Sequence, residues 1–462
     1  MCNFPSTSTK KTSNTSRRPT KSIPPPPPSP EFPVAVKLPN VGKAFLESKL
    51  TYEILESFQN NSHQEKLQKT EGLVKATLQK VFPGIRIWST GSFPAGVDLH
   101  NSDLDLTVKL PELTGSVWEK LMGMKGKLEK RAEFKKVWVQ KARVPVLQLK
   151  VAETGVEVDV TVDNEDGKRN TMLLALYGQV DSRFQLLCRA VKAWSKSVGV
   201  EGAKLARLNS FSLCLMVILY LQKGVSPAIL PNLQELFPEF NGNIEVADDE
   251  YGKKRNLKKE MEEMGVRMEK NEMSIGALFT GFLKFWSEFD FTSNWISIRH
   301  AAIFPKRRDP EGKPLDGMPA SWSYICIQDP FINPSWNCGQ STWDHDTFQR
   351  LHAEFEMSLT RIQKSRTMFG GHLKSAMRRR IDEEGMETDK RILERRNVIE
   401  AEERARFEAL TWGCPDEFEW PPDPGFVPKP RNYAEPWRYW DLERQRKSDV
   451  KPWPVAEKIF LP

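Results

Sequence analysis

The sequence predicts an α+β chain in which a mixed β-sheet is followed by a mainly helical half, with tails of different composition at both ends. Three observations carry that prediction. Segments with period-2 alternation cluster between about residues 85 and 162. Apolar residues recur at helical spacing before them and again after Asn170. The two ends are rich in Pro, Ser, Lys and isolated Trp rather than in periodic apolar residues.

Residues 1–38 are rich in Ser, Thr and Lys and contain the run Pro24 to Pro28. Such a segment buries too little apolar surface to offset the entropy of ordering it, so a disordered tail is expected. The proline run favours extended polyproline II, as a spacer or as a ligand for an SH3-type or WW-type module. A first folded domain is expected over 39–168. Phe45, Leu46, Leu50, Ile54, Leu55 and Phe58 give its opening a helical period. Strands are expected at IRIWST, at DLDLTVKL from Asp103, at VPVLQLKV from Val144 and at VEVDVTV from Val156.

Residues 169–365 form the expected helical domain. FSLCLMVILYL, from Phe211 to Leu221, reads as a buried helix and falls short of the ~20 apolar residues of a membrane span. The charged stretch from Asp248 to Lys270 reads as a surface insertion. Further helices are expected at Ile275–Phe289 and Asp344–Ile362, with short strands at ISIR and SYICIQDPF between them. In the extension over 366–462, Met377 to Ala409 carries dense charge of both signs, the pattern of a solvated helix. Beyond it Trp412, Trp420, Trp437, Trp440 and Trp453 sit among prolines.

Apolar residues make up 39% of the 462, enough for a substantial core, and the formal net charge of +7 suits a polyanionic partner without proving one. The six cysteines form no C-x-x-C pair, which argues against a zinc knuckle or a disulfide framework and for reduced thiols inside a cell. The polar N-terminus lacks a signal-peptide core. A cytoplasmic or nuclear protein with no membrane partner is expected. None of the six histidines has metal-ligand spacing, and His100 reads as a loop surface residue.

The chemistry lies in STGSFPAGVDLHNSDLDLTVKL, residues 89–110. Asp103 and Asp105 alternate with Leu104 and Leu106, so on a strand both carboxylates share one face, with Cα atoms about 6.5–7 Å apart. Two metal ions about 3.5–4 Å apart, held by such hard oxygen ligands, clamp the attacking and leaving oxygens of a phosphoryl transfer. Upstream, Gly91 and Ser92 offer bare backbone and a hydroxyl to phosphate oxygens. A third acidic strand follows, in which Glu157 and Asp159 share a face and periodicity leaves both open.

Gly-Ser, an Asp-Leu-Asp eleven residues after the serine, and a later acidic strand together resemble the nucleotidyltransferase superfamily that includes DNA polymerase beta. GSFPAG, NSDLDL, VDVTVDN with Asn170–Thr171, VKAWSK, LNSFSLCLMVILYLQ and ICIQDPF are similar to the cytoplasmic poly(A) polymerase and terminal uridylyltransferase branch. The likeness runs from about Val41 to Ser365. It implies a nucleotidyltransferase palm domain with a mixed β-sheet, joined to a mainly helical poly(A)-polymerase-associated domain. It also implies template-independent addition of AMP or UMP to RNA 3′ ends.

The resemblance selects Asp159, with Asp103 and Asp105, as catalytic metal ligands for Mg²⁺ or Mn²⁺. It implies nucleotide contacts from Gly91, Ser92, Asn170, Thr171, Lys192, Lys196, Ser210 and Phe211. Lys192 and Lys196 share a helix face by their spacing, and Phe211 stands where the family stacks an aromatic ring, usually tyrosine, on the base. Uridylyltransferases of the branch carry a histidine before an asparagine just past DPF. Here Trp336 precedes Asn337, with one extra residue. Trp stacks and donates a hydrogen bond but accepts none, so adenylate or mixed addition is expected over strict UTP use, with Trp336 near the base. RNA-binding modules are absent from the sequence, so RNA choice is expected to depend on a protein adaptor or on the tails. Other nucleotidyl transfer on the same fold, or a non-catalytic RNA-binding scaffold, are the alternatives.

Overall fold

The computed structural model of the protein describes residues 42–58, 62–100, 102–110, 115–141, 144–241, 255–306, 322, 324–331, 336–365, 389–394 and 397–398. The tail expected over 1–38 and the Trp-rich segment lie outside the described residues, as does most of the charged stretch before that segment.

Two helices, α1 (Gly42–Phe58) and α2 (Ser62–Val81), precede β1 (Arg86–Thr90), β2 (Leu104–Lys109), α3 (Val117–Leu128), β3 (Phe134–Gln140), β4 (Val146–Val151) and β5 (Glu157–Val162). The strands form one sheet in the order β1-β2-β5-β4-β3. Only β2 and β5 pair in parallel; the other neighbours are antiparallel. A parallel pair needs a crossover connection, and α3, β3 and β4 supply it. Alternation then decides the faces. Leu104, Leu106 and Val108 of β2, Leu147 and Leu149 of β4, and Val158 and Val160 of β5 are buried against Leu67, Val74 and Leu78 of α2 and Leu121, Met124 and Leu128 of α3. The intervening residues, Asp105 and Asp159 among them, face the other way. A capping box, in which Ser116 and Glu119 satisfy each other's backbone amides, starts α3.

The second half contains α4 (Glu165–Val180), α5 (Ser182–Ser197), α6 (Ser210–Leu219), α7 (Leu233–Leu236), α8 (Leu257–Glu263), α9 (Ile275–Ser287), the hairpin β6 (Asn294–Ser297) and β7 (Ala302–Pro305), and α10 (His345–Ser365). Leu213 to Leu219 of α6 are all buried, as an apolar run without a polar face requires. Around them pack Trp194 of α5, Phe279, Phe282 and Trp286 of α9, and Phe355 of α10. Leu50 and Ile54 of α1 belong to this helical core, and Thr51 Oγ1 accepts the Gly276 amide at 3.1 Å. Thus α1 precedes the sheet in sequence but packs with the helices, while residue 168, the expected domain edge, lies inside α4.

Three further expectations meet different surroundings. Of the charged stretch expected as a surface insertion, the described part buries Leu257 and Met261 of α8, and Arg255 lies over the rings of Phe237 and Phe240. SYICIQDPF makes isolated bridges, Ile327 to Ile296 and Gln328 to Asn337, rather than a ladder. In the stretch expected to be a solvated helix, residues 389–394 are helical with Ile392 buried, and Arg207 donates to both Asp389 oxygens at 2.7 and 2.6 Å. No described helix is long and apolar enough to cross a membrane.

Phe282 is fully buried between Tyr220, Trp286 and Phe355. Phe282→Ala should cost about 3–5 kcal/mol in chemical denaturation; a loss under about 1 kcal/mol would show that the helical core does not close on this ring.

Candidate active site

The acidic cluster follows from strand register. In the parallel pair, Asp105 of β2 lies directly opposite Asp159 of β5. Asp103, one residue before β2 begins, projects to the same place, and ligand oxygens of the three carboxylates lie within 4.8 Å of one another. Glu157, the other acid on that face, is exposed and pairs with Lys150 at 3.4 Å instead. The geometry therefore separates two acids that alternation alone left equivalent.

Like charges directly opposite on a sheet destabilise it. Burial, reinforced by Asp103 and Asp159 and opposed by Lys192, pushes the Asp105 carboxyl up to about 8. Asp159 is also raised, chiefly by burial; a hydrogen bond from Gln148 opposes the shift, and Asp103 adds to it. Gln148 is the β4 residue opposite Asp159, and its Nε2 donates to the two Asp159 oxygens at 3.0 and 3.3 Å. Three converging carboxylates with no nitrogen or sulfur donor suit a hard divalent cation, whose charge would relieve the repulsion.

Gly91 closes the site from the other side. Its φ is +78°, a region that favours glycine, and a Cβ there would lie 2.1 Å from Asp105 Oδ2. Its amide donates to Thr171 Oγ1 at 2.8 Å, and that hydroxyl donates to Gly167 O at 2.7 Å. The turn after β1 is thus tied to α4. A cavity of about 320 Å³ opens over the acids, lined by residues from β1, β2, β5, α4, α5 and α6. That volume suits a small ligand.

Two family profiles match the chain. Residues 46–179 match the central palm domain of mitochondrial-like poly(A) RNA polymerase, and residues 274–334 match the Cid1 family poly A polymerase domain. These two regions are similar to the poly(A) polymerase and terminal uridylyltransferase family. Poly(A) RNA polymerase GLD2-B of Xenopus laevis is 28% identical over 333 residues, covering 70% of this chain and 62% of the relative. Human Poly(A) RNA polymerase GLD2 is 28% identical over 344 residues, covering 70% and 66%. The chain thus spans less than two thirds of the length of these relatives. Among solved structures, the GLD-2/RNP-8 complex aligns with a TM-score of 0.52 at 22% identity over 71% of this chain and 97% of that one. Cid1 poly(U) polymerase bound to MgGTP aligns with 0.55 at 22% over 70% and 95%. These two likenesses are of fold.

Of the residues that the family resemblance singled out, the three acids, Gly91, Ser92, Asn170, Thr171, Lys192, Lys196, Ser210 and Phe211 all line the cavity. Trp336 does not. Several also have partners within the fold. Thr171 is buried, and its hydroxyl serves Gly91 and Gly167. Asn164 caps α4 through the Gly167 amide. Lys192 is buried and donates to Val97 O at 2.9 Å, bracing the loop after Ser92, while Lys196 is exposed. Asn209 caps α6, and the Ser210 hydroxyl donates to Glu201. Phe211 packs against the helical core as it lines the cavity. His100 is exposed, with Nε2 2.7 Å from Ser57 O. Sequence reasoning passed over Gln148 and Glu201; alternation puts Gln148 off the leucine face, but only the β4–β5 register points it at Asp159.

Gly91→Ala should weaken divalent-metal binding about 10–100-fold, the scale of lost support around a ligand, read by calorimetry with Mg²⁺ or Mn²⁺; native affinity would refute the close approach. An acid whose folded pKa lies above its unfolded value holds its proton more tightly when folded, so that contribution is lost as pH rises from 3.8 to about 8. In chelator, the melting temperature of the native chain should therefore fall relative to Asp105→Asn across that window. Parallel curves for the two proteins would argue against the repulsion.

Proposed function

We propose that the chain is an RNA nucleotidyltransferase that adds AMP, UMP or both to RNA 3′ ends without a template, with ATP favoured. The observation that carries this reading is the convergence of Asp103, Asp105 and Asp159 beside the Gly91–Ser92 turn. ATP is favoured because the curated relatives quoted above are poly(A) RNA polymerases and because Trp336, rather than histidine, precedes Asn337.

In the proposed mechanism Asp103, Asp105 and Asp159 hold Mg²⁺, for which Mn²⁺ can substitute. The bound metal supplies Lewis-acid activation of the attacking oxygen and neutralises charge on the leaving group. Ser92, Lys192, Lys196 and Ser210 hold the β and γ phosphates, Asn170 meets the sugar, and Phe211 stacks on the base. The 3′-hydroxyl oxygen of the RNA bonds to the α-phosphorus, its proton leaves toward Asp159, and the bond to pyrophosphate breaks. Gln148 fixes the Asp159 carboxylate so that its orientation need not be found during the step. Positioning and charge neutralisation provide most of the acceleration. A protein adaptor supplies RNA choice, a reading supported by the complex in which GLD-2 was solved with RNP-8. The proposed compartment is the cytoplasm, supported by the unbridged thiols of Cys188 and Cys214.

Extension of a single-stranded oligoribonucleotide with each of four nucleoside triphosphates tests the reading. ATP should give the longest products, chelator should stop the reaction, and a 3′–5′ linkage-specific nuclease should digest the added tail. Asp103→Ala should abolish extension with the fold intact, and undiminished activity in that variant would refute the assignment. Gln148→Ala should lower activity about 10–100-fold and raise the metal concentration needed for half-maximal rate. An unchanged metal requirement would remove Gln148 from this role.

A further inference from the structure

The sheet face that carries the acids extends beyond them to its edge. In β4, Leu147, Leu149 and Val151 are buried toward α2 and α3, so Gln148 and Lys150 face the acid side. On β3, buried Phe134 opposes Val151 and Lys135 opposes Lys150. Regular antiparallel counting would then put Val137 opposite Gln148 and turn Trp138 inward. A bulge intervenes. Lys136 has φ +54°, the register shifts between Lys135 and Trp138, and Trp138 becomes the residue opposite Gln148. Val137 and Val139 pack toward the inner core instead. Bulges beside active sites commonly re-aim a side chain in this way.

The result is one row across four strands: Trp138, Gln148, Asp159 and Asp105, each directly opposite the next. Neighbouring strands lie about 4.8 Å apart, which puts the Trp138 backbone about 10 Å from Asp159 and about 14 Å from Asp105. Trp138 is 40% exposed. The adjoining row on the same face holds Lys135, Lys150 and Glu157, the last two paired at 3.4 Å, and Lys136 at the bulge is exposed. An open indole among ammonium groups, continuous with the acids, suits a single-stranded polyanion whose bases are free to stack.

We propose that Trp138 is a stacking platform for a base upstream of the RNA 3′ end, with Lys135 meeting an adjacent phosphate. The proposal rests on the nucleotidyltransferase reading above and extends it to the primer. The terminal nucleotide sits at the acids, so the base that reaches Trp138 belongs to a nucleotide before it. The site takes single-stranded RNA and accepts any base, because each presents a π face.

The test uses the full chain, its Trp138→Ala and Trp138→Phe variants, and a single-stranded oligoribonucleotide with or without an abasic residue at successive upstream positions. Fluorescence anisotropy without nucleotide gives RNA affinity, and extension kinetics give KM and kcat separately. Trp138→Ala should weaken binding and raise the primer KM about tenfold, the order of one lost base stack, with the KM for ATP unchanged. Trp138→Phe should recover most of the loss. In the native chain one abasic position should reproduce the loss, and in Trp138→Ala that position should cost nothing more. Native RNA affinity and primer KM in Trp138→Ala would overturn the proposal and leave this edge to a protein partner, as would an abasic penalty of equal size in both proteins. A native chain that neither binds nor extends RNA would overturn the functional reading itself.

Discussion

The parallel pairing of β2 with β5 is the constraint on which the rest depends. It sets Asp105 against Asp159, a juxtaposition that opposes folding unless something compensates the charge. The sheet accepts it because the opposite faces of the same strands are filled with Leu104, Leu106, Val158 and Val160, all fully buried. A slip of one residue would turn the leucines out and the carboxylates in. The apolar core therefore fixes the register, and the register delivers the acids. Gln148 adds a neutral donor to one side of the pair, and the backbone of Gly91 closes against the other.

Much of this was legible in the chain itself. The strands that became β1, β2, β4 and β5, the three carboxylates and most of the cavity lining follow from alternation and from motif spacing that resembles a known family. What escaped depended on partners far away in sequence. β3 was not anticipated because the bulge at Lys136 breaks its alternation and two lysines interrupt its apolar residues. Gln148 and Glu201 act through neighbours that only the folded chain supplies. Thr171, expected as a nucleotide contact, lines the cavity and also holds the Gly91 amide. Trp336, beyond the extra residue, lies outside the cavity lining.

The helical half contributes more than a second wall. Its core recruits α1 from the far end of the folded region, and Arg207 and Ile392 bring in residues 389–394. The loop between α5 and α6 is thereby held at both Glu201, through Ser210 and Ser195, and Arg207. That loop also carries Lys204, whose charge reaches Asp159.

One helix serves both halves. Lys168 of α4 lies 4.0 Å from the centre of the Trp88 ring, and Thr171 holds the Gly91 amide, so the first turns of α4 are stitched to the sheet. Farther along, Leu173 and Tyr177 of the same helix are embedded in the helical core. One continuous helix thus joins the two halves. Asp103 and Lys196, both exposed, mark the open rim of the cavity, while Thr171 holds the Gly91 amide inside it.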